Sequence, residues 1–126
     1  MNGREIEPML GTWEEVYKKG LLSFWILLQL HDQPSYPYKM DKEIEEISQG
    51  SMSVDGNSFY RALGRFEDMG LVESEYRNSE SGPDRRYYHL TGKGHRLLEA
   101  FIQRNILVFR TPEIGERLEA VLKSDG

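Results

Sequence analysis

The chain has no cysteine, which removes disulfides, thiolate metal ligands and cysteine nucleophiles together. It has no excess of positive charge: 16 Lys+Arg stand against 21 Asp+Glu, a formal net charge of -5. So acidic a total argues by itself against a polyanionic partner. It has no long apolar run either. The most apolar stretch, residues 21–30, is interrupted by Ser23 and Gln29, whereas a membrane span needs about 20 residues. Residues 1–8 have no basic region leading into an apolar stretch, so no secretory leader is expected. The reading is a soluble, cytoplasmic protein with no membrane partner.

Chemistry-bearing clusters are equally scarce. His31, His89 and His95 have no mutual spacing that suggests metal ligation, so no metal site is expected. The pairs Glu14-Glu15 and Glu45-Glu46 fall on exposed faces, without the pocket that acid-base work requires. Gly92-Lys93-Gly94 opens a helix but lacks the rest of a phosphate-cradling pattern. No catalytic residue, no cofactor and no enzymatic activity are expected.

What is present is one domain of 126 residues, 38% hydrophobic and 29% charged. That suits a modest core in a chain too short to divide into several domains. Thr12-Trp13-Glu14-Glu15 fits a capping box, so a first helix is expected to start there. Its second half is apolar on nearly every face and must be covered all round, a second subunit being the cover in so small a domain. Gly20 between the halves is either a kink or a tolerated weak point. Turn chemistry at residues 31–37 precedes a second helix carrying Tyr36 or Met40 with Ile44 and Ile47, closed by residues 48–51.

Asp55 is placed to cap a third helix by accepting from the amide of Asn57 or Ser58. In that helix Phe59, Ala62, Leu63 and Phe66 recur at i, i+3, i+4 and i+7, and Gly70 supplies the stop. The opposite face carries Asn57, Ser58, Arg61, Gly64, Arg65 and Asp68. Residues 71–76 and 86–90 read as two strands joined by a long polar tip over residues 77–85. Thr91 caps a fourth helix with the stripe Leu97, Leu98, Phe101 and Ile102, continued by Ile106, Leu107 and Phe109. Thr111-Pro112-Glu113 starts a last short helix, and residues 124–126 form a frayed tail.

Three helices followed by a two-stranded hairpin is the order of a winged helix-turn-helix, in which the third helix enters the DNA major groove and the hairpin is the wing. The fold class expected is therefore mainly α with a small β-hairpin wing, plus C-terminal dimerisation helices. Residues 1–95 form the winged domain and residues 96–126 the dimerisation element. Short polar or basic side chains near the start of the third helix suit base edges and phosphates. Asn57, Ser58, Tyr60, Arg61, Arg65, Arg85 and Arg86 are the candidate contacts to double-stranded DNA. Tyr60 lies beside the apolar stripe, so its hydroxyl either packs against the second helix or reaches a phosphate.

The residues also resemble the PadR family of winged-helix transcriptional regulators over about residues 20–106. Pro34-Ser35-Tyr36-Pro37-Tyr38 stands where that family has Pro-x-Tyr-Gly-Tyr, and Phe59-Tyr60-Arg61-Ala62-Leu63 is similar to its Leu-Tyr-x-Ala-Leu. Glu67-Asp68-Met69-Gly70-Leu71-Val72 looks like its helix end leading into the wing. The most specific stretch, Ser81-Gly82-Pro83-Asp84-Arg85-Arg86-Tyr87-Tyr88-His89-Leu90-Thr91, resembles Gly-x-x-Arg-Arg-Tyr-Tyr-x-Leu-Thr, with Gly94 following. The resemblance implies a homodimer held by the first and C-terminal helices, DNA binding through third helix and wing, and usually repression of a nearby gene. It also implies a place near the dimer interface for a small aromatic effector, with Phe24, Trp25, Leu28, Leu98, Phe101 and Ile102 as the candidate residues.

Two positions depart from the pattern. Pro37 replaces a glycine, removing a donor and fixing φ, so the turn into the second helix must be built differently. Asp55-Gly56-Asn57-Ser58 stands where the family commonly has Ser-Pro-Gly-Thr, placing a carboxylate near DNA. Charge is unevenly divided: residues 1–52 hold five basic and nine acidic groups, residues 53–96 seven of each, and residues 97–126 four and five. The reading half is thus neutral, and DNA is attracted only if its arginines are segregated in space. The rival reading is a winged-helix module for protein–protein contacts, which the acidic balance supports.

Overall fold

The computed structural model describes residues 3–53 and 55–124; Asp125 and Gly126 of the expected tail lie outside the described residues. The first helix, α1 (Gly3–Asp32), is 30 residues long, which corrects the expected start at Thr12. Thr12 sits inside the helix, and its hydroxyl donates to the Pro8 carbonyl at 3.0 Å. A threonine hydroxyl can bond one turn back as well as cap, so Thr-x-x-Glu alone does not distinguish the two. Glu14–Lys18 and Glu15–Lys19 ion pairs, at 3.4 and 3.7 Å, have the i,i+4 spacing that supports a continuous helix. The helix passes through Gly20, where an added Cβ would meet nothing within 4 Å.

Pro37 opens α2 (Pro37–Ile47), with extended Tyr36 as its cap residue. The departure is accommodated because a proline at the first helical position loses a donor that would have had no intrahelical acceptor. Ser48 ends the helix, its amide donating to the Ile44 carbonyl at 2.9 Å. Asp55 caps α3 (Gly56–Asp68) as expected, accepting from the Ser58 amide at 2.8 Å. Phe59, Ala62, Leu63 and Phe66 are all buried. Gly70, at φ 75°, turns the chain back so that the Leu71 amide donates to the Phe66 carbonyl at 2.8 Å, a left-handed closure that favours glycine.

Strands β1 (Val72–Ser79) and β2 (Gly82–Leu90) are antiparallel, from Val72 opposite Leu90 to Ser79 opposite Gly82. The long polar tip expected over residues 77–85 is therefore corrected to a short turn, with a register irregularity between Arg77 and Ser79. The outer hairpin is exposed on both faces, so backbone pairing extends where side chains give no apolar alternation to announce it. Ser35 adds a third rung: its amide donates to the Tyr88 carbonyl at 3.1 Å, and its carbonyl accepts from the Tyr88 amide at 2.8 Å. That bridge fixes the wing against the segment between α1 and α2.

Thr91 caps α4 (Gly92–Asn105) through the Gly94 amide at 3.1 Å. The helix ends at Asn105, and a single 3-10 turn (Leu107–Arg110) replaces the expected continuation through Phe109. Thr111 then caps α5 (Pro112–Lys123). The core lies where Ile26, Leu27 and Leu30 of α1 meet Met40 and Ile44 of α2, the α3 stripe, Val72, Tyr88 and Leu98. Among the described residues no helix is long and apolar enough to cross a membrane.

Candidate nucleic-acid interface

The apolar stripe of α3 faces the core, so its other side is turned outward. Asn57, Tyr60, Arg61 and Arg65 are exposed and Ser58 is half-buried. Ser58 organises the start of this face: its hydroxyl donates to Asp55 Oδ2 at 2.9 Å and accepts from Arg61 Nη2 at 3.3 Å. The Ser58 amide, then its hydroxyl, hold the Asp55 carboxyl below its ordinary range, with the Arg61 charge adding to the effect. The carboxylate at the helix start is thus occupied by its own cap, and Arg61 is tethered beside it.

The wing has two distinct faces because paired residues alternate sides along the strands. On one, Arg85 Nη1 donates to the Tyr36 hydroxyl at 2.9 Å, with its guanidinium carbon 4.5 Å from that ring's centre. Tyr36 meets Tyr87 edge-on at 5.1 Å between ring centres, and Arg77 lies 4.3 Å from the centre of Tyr87. Two tyrosines in edge-on contact, each with a cation over its ring, form this ladder, which holds Arg85 against the cap residue of α2. Arg77 is also paired with Glu75 at 2.9 Å, and Glu73 lies 3.8 Å from His89.

The other face looks toward α3. Arg86 donates to Glu67 Oε1 at 2.7 Å and to the Ser74 hydroxyl at 2.9 Å, while that hydroxyl donates to Glu67 Oε2 at 2.6 Å. Its guanidinium lies 5.4 Å from the ring centre of Tyr88 and 5.8 Å from that of Tyr76. Burial pushes the Tyr88 hydroxyl up from its ordinary range, against the lowering effect of the Arg86 charge.

Between these elements lies an open cleft of about 470 Å³, lined by Tyr36, Pro37, Tyr38, Tyr60, Tyr76, Asp84, Arg85, Arg86 and Tyr88. Three of the expected contact residues, Tyr60, Arg85 and Arg86, line this cleft, whereas Asn57, Ser58, Arg61 and Arg65 lie on α3 outside its lining. Sequence reasoning missed Tyr36, Tyr38, Tyr76 and Arg77. A signal was available in exposed tyrosines spaced among polar residues, since a ring with a hydroxyl can both stack and donate to phosphate. Lys42 lies 4.6 Å from the centre of the Tyr38 ring, and its bond with the Tyr38 hydroxyl raises its ordinary pKa.

The six effector candidates fall into separate places. Phe24 packs on Phe101 at 5.6 Å and on Trp25 at 5.5 Å. Trp25 also lines an apolar cavity of about 400 Å³ with Leu10, Trp13, Tyr17, Leu21 and Met52, and its Nε1 is buried without an acceptor. Leu28, Leu98 and Ile102 line a different pocket, beside His31 and His95. Among the described residues no group of three or more metal-ligating side chains comes together.

Residues 26–100 match the family model of the transcriptional regulator PadR-like family. A PadR family transcriptional regulator from Eggerthella lenta is 27% identical, with 93% of this chain and 98% of that chain covered and a TM-score of 0.69. A PadR-like transcriptional regulator from Bacillus cereus is 29% identical over 85% of this chain and 96% of that one, with a TM-score of 0.64. Bacillus subtilis PadR, solved in complex with operator DNA, shares the fold at 20% identity and a TM-score of 0.60, covering 65% of this chain and 46% of that chain. With its winged helix, its α3 stripe and its wing signature matched over that span, the chain belongs to the PadR-like family of transcriptional regulators.

Proposed function

We propose that this regulator binds double-stranded DNA sequence-specifically as a homodimer, represses a nearby gene, and is released by a small aromatic effector. The observation that carries the reading is a tyrosine-lined cleft in which Tyr60 of α3 meets Arg85 and Arg86 of the wing, with Asn57, Arg61 and Arg65 exposed on the same helix. Asn57, Ser58 and Arg61 are assigned to base edges near the start of α3. Tyr60, Arg65 and Arg85 are assigned to phosphates. Arg61, Arg65 and Arg85 form no ion pair among the described residues, so their charge is available to DNA. The operator complex of Bacillus subtilis PadR supports the same use of the fold.

Homodimerisation is supported by apolar residues that one chain leaves uncovered. Met9, Trp13, Val16 and Tyr17 on α1 are 56–73% exposed, and Leu118, Val121 and Leu122 on α5 are 51–83% exposed. Patches of that kind mark association surfaces. Residues 1–95 then read DNA and residues 96–126 complete the dimer. The apolar cavity lined by Trp25, Trp13 and Tyr17 supports the effector.

Fluorescence-anisotropy titrations at several salt concentrations test the reading, using DNA that the protein selects from a random duplex library. Arg61→Ala is expected to relax specificity, and Arg85→Ala to weaken all sequences alike and flatten the salt slope. Failure to select any sequence, with no salt-dependent binding, would leave the fold serving protein contacts instead.

A further inference from the structure

The geometry points to Arg86 as a positioning residue that sets the angle of the wing against α3, and not as a phosphate contact. The inference rests on the DNA-binding reading above, but its own ground is the Arg86–Glu67–Ser74 cluster. Glu67 stands in the last turn of α3, Ser74 on β1 and Arg86 on β2, so three hydrogen bonds of 2.6–2.9 Å join three separate elements. Both Glu67 oxygens are engaged, one by the guanidinium and one by the serine hydroxyl. Arg86 also spans the Tyr76 and Tyr88 rings. A guanidinium held by a carboxylate and two ring faces is committed to that pair although its side chain stays 42% exposed, and it is directed toward the helix that the wing must flank.

Arg85, its neighbour, is bound differently. Its partner is the neutral Tyr36 hydroxyl, which orients the guanidinium without cancelling its charge. Adjacent strand residues face opposite sides, so the pair Arg85-Arg86 divides the work: Arg85 carries charge to DNA, and Arg86 fixes the strand that presents it. Counted per dimer, Arg65 and Arg85 give four charged phosphate contacts and a salt slope of about -4, whereas including Arg86 would give six and about -5.

The experiment compares the wild-type chain with Arg86→Ala, Arg86→Lys, Glu67→Gln and the Arg86→Ala/Glu67→Gln double variant. Each is titrated with the duplex selected by the wild-type protein, and each free protein is examined by amide hydrogen exchange. Arg86→Ala and Glu67→Gln are both expected to weaken binding about tenfold, the double variant no more than either alone, because the two residues act as one unit. The salt slope is expected to stay near the wild-type value, because Arg85 still meets its phosphate, and Arg86→Lys is expected to restore only part of the affinity. In the free proteins, exchange is expected to quicken in β1 and β2 and to stay slow in α1 and α3.

A fall of about 1.8 in the magnitude of the salt slope for Arg86→Ala would overturn the proposal. So would tighter binding by Glu67→Gln, which would mean that the carboxylate restrains a DNA-contacting arginine. Hairpin exchange unchanged by either substitution would also overturn it. That readout needs no DNA, so it separates failure of this inference from failure of the DNA-binding reading.

Discussion

Substituting Gly94 by alanine tests the closest backbone approach at any described glycine. The backbone of α4 at Gly94 presses on the turn between α3 and β1. A Cβ there would lie 2.2 Å from the Leu71 carbonyl oxygen, 2.7 Å from Leu90 Cδ1 and 3.1 Å from the Leu71 carbonyl carbon. Backbone oxygen cannot swing aside as a flexible side chain can, so the start of α4 must retreat by about 1 Å to restore ordinary contact. The same Leu71 oxygen accepts from the Thr91 amide at 3.1 Å, and the retreat stretches that bond past its useful range.

Overpacking of this kind costs about 1–3 kcal/mol and the stretched hydrogen bond about 1 kcal/mol. Alanine's better helix propensity returns at most about 1 kcal/mol. The net expectation is a loss of about 1–3 kcal/mol, or about 4–12 °C in Tm for a domain of this size. Thermal melts followed by circular dichroism read it directly, at one fixed protein concentration because association contributes to apparent stability. Gly20→Ala is the control: it lies inside α1 with nothing within 4 Å of the new Cβ, so its Tm is expected to rise. Equal melting temperatures for the two variants would refute the clash.

Asp55 contributes to stability through a carboxyl whose pKa is lowered in the folded chain by the Ser58 amide and hydroxyl. Its contribution is therefore full above the unfolded carboxylate range and lost as pH falls through that range and below the folded value. A pH series of melts should show this loss in the wild type and a smaller one in Asp55→Ala. The Ser35 hydroxyl is buried without a hydrogen-bond partner, so Ser35→Ala, which keeps the backbone bridge to Tyr88, is expected to be neutral or up to about 1 kcal/mol stabilising in urea unfolding. Tyr36→Phe removes the acceptor for Arg85 and should weaken binding to the selected duplex about threefold in anisotropy titrations. Deleting residues 112–126 removes α5 and, on the proposed dimer, is expected to leave a monomer in light-scattering measurements.

The elements legible in the sequence were those with a local cause. Asp55 and Thr91 cap their helices as their types require, and the α3 stripe is buried at the four positions its spacing marks. Pro37, a departure from the family pattern, finds its reason at the first position of α2. What local pattern could not settle was decided by alternatives with the same composition. Thr12 can cap or bond backwards, and the polar wing tip pairs through backbone groups that are the same in every residue. The candidate face was legible as a set of residue types, whereas the different partners of Arg85 and Arg86 were not. They are Glu67, Ser74 and Tyr36, which are distant in sequence and meet only after the wing has docked.

The unbroken course of α1 has a mechanical consequence. A helix of this length is about 45 Å from end to end, and its core contacts gather in the last third, at Ile26, Leu27 and Leu30. The uncovered apolar residues lie about 15 Å or more back along the same rod. In a dimer joined there, a few degrees of tilt between two such rods is magnified by their length before it reaches the reading heads. The separation of the two α3 helices, and with it the spacing of half-sites in an operator, is then written in the crossing angle of α1 with its partner.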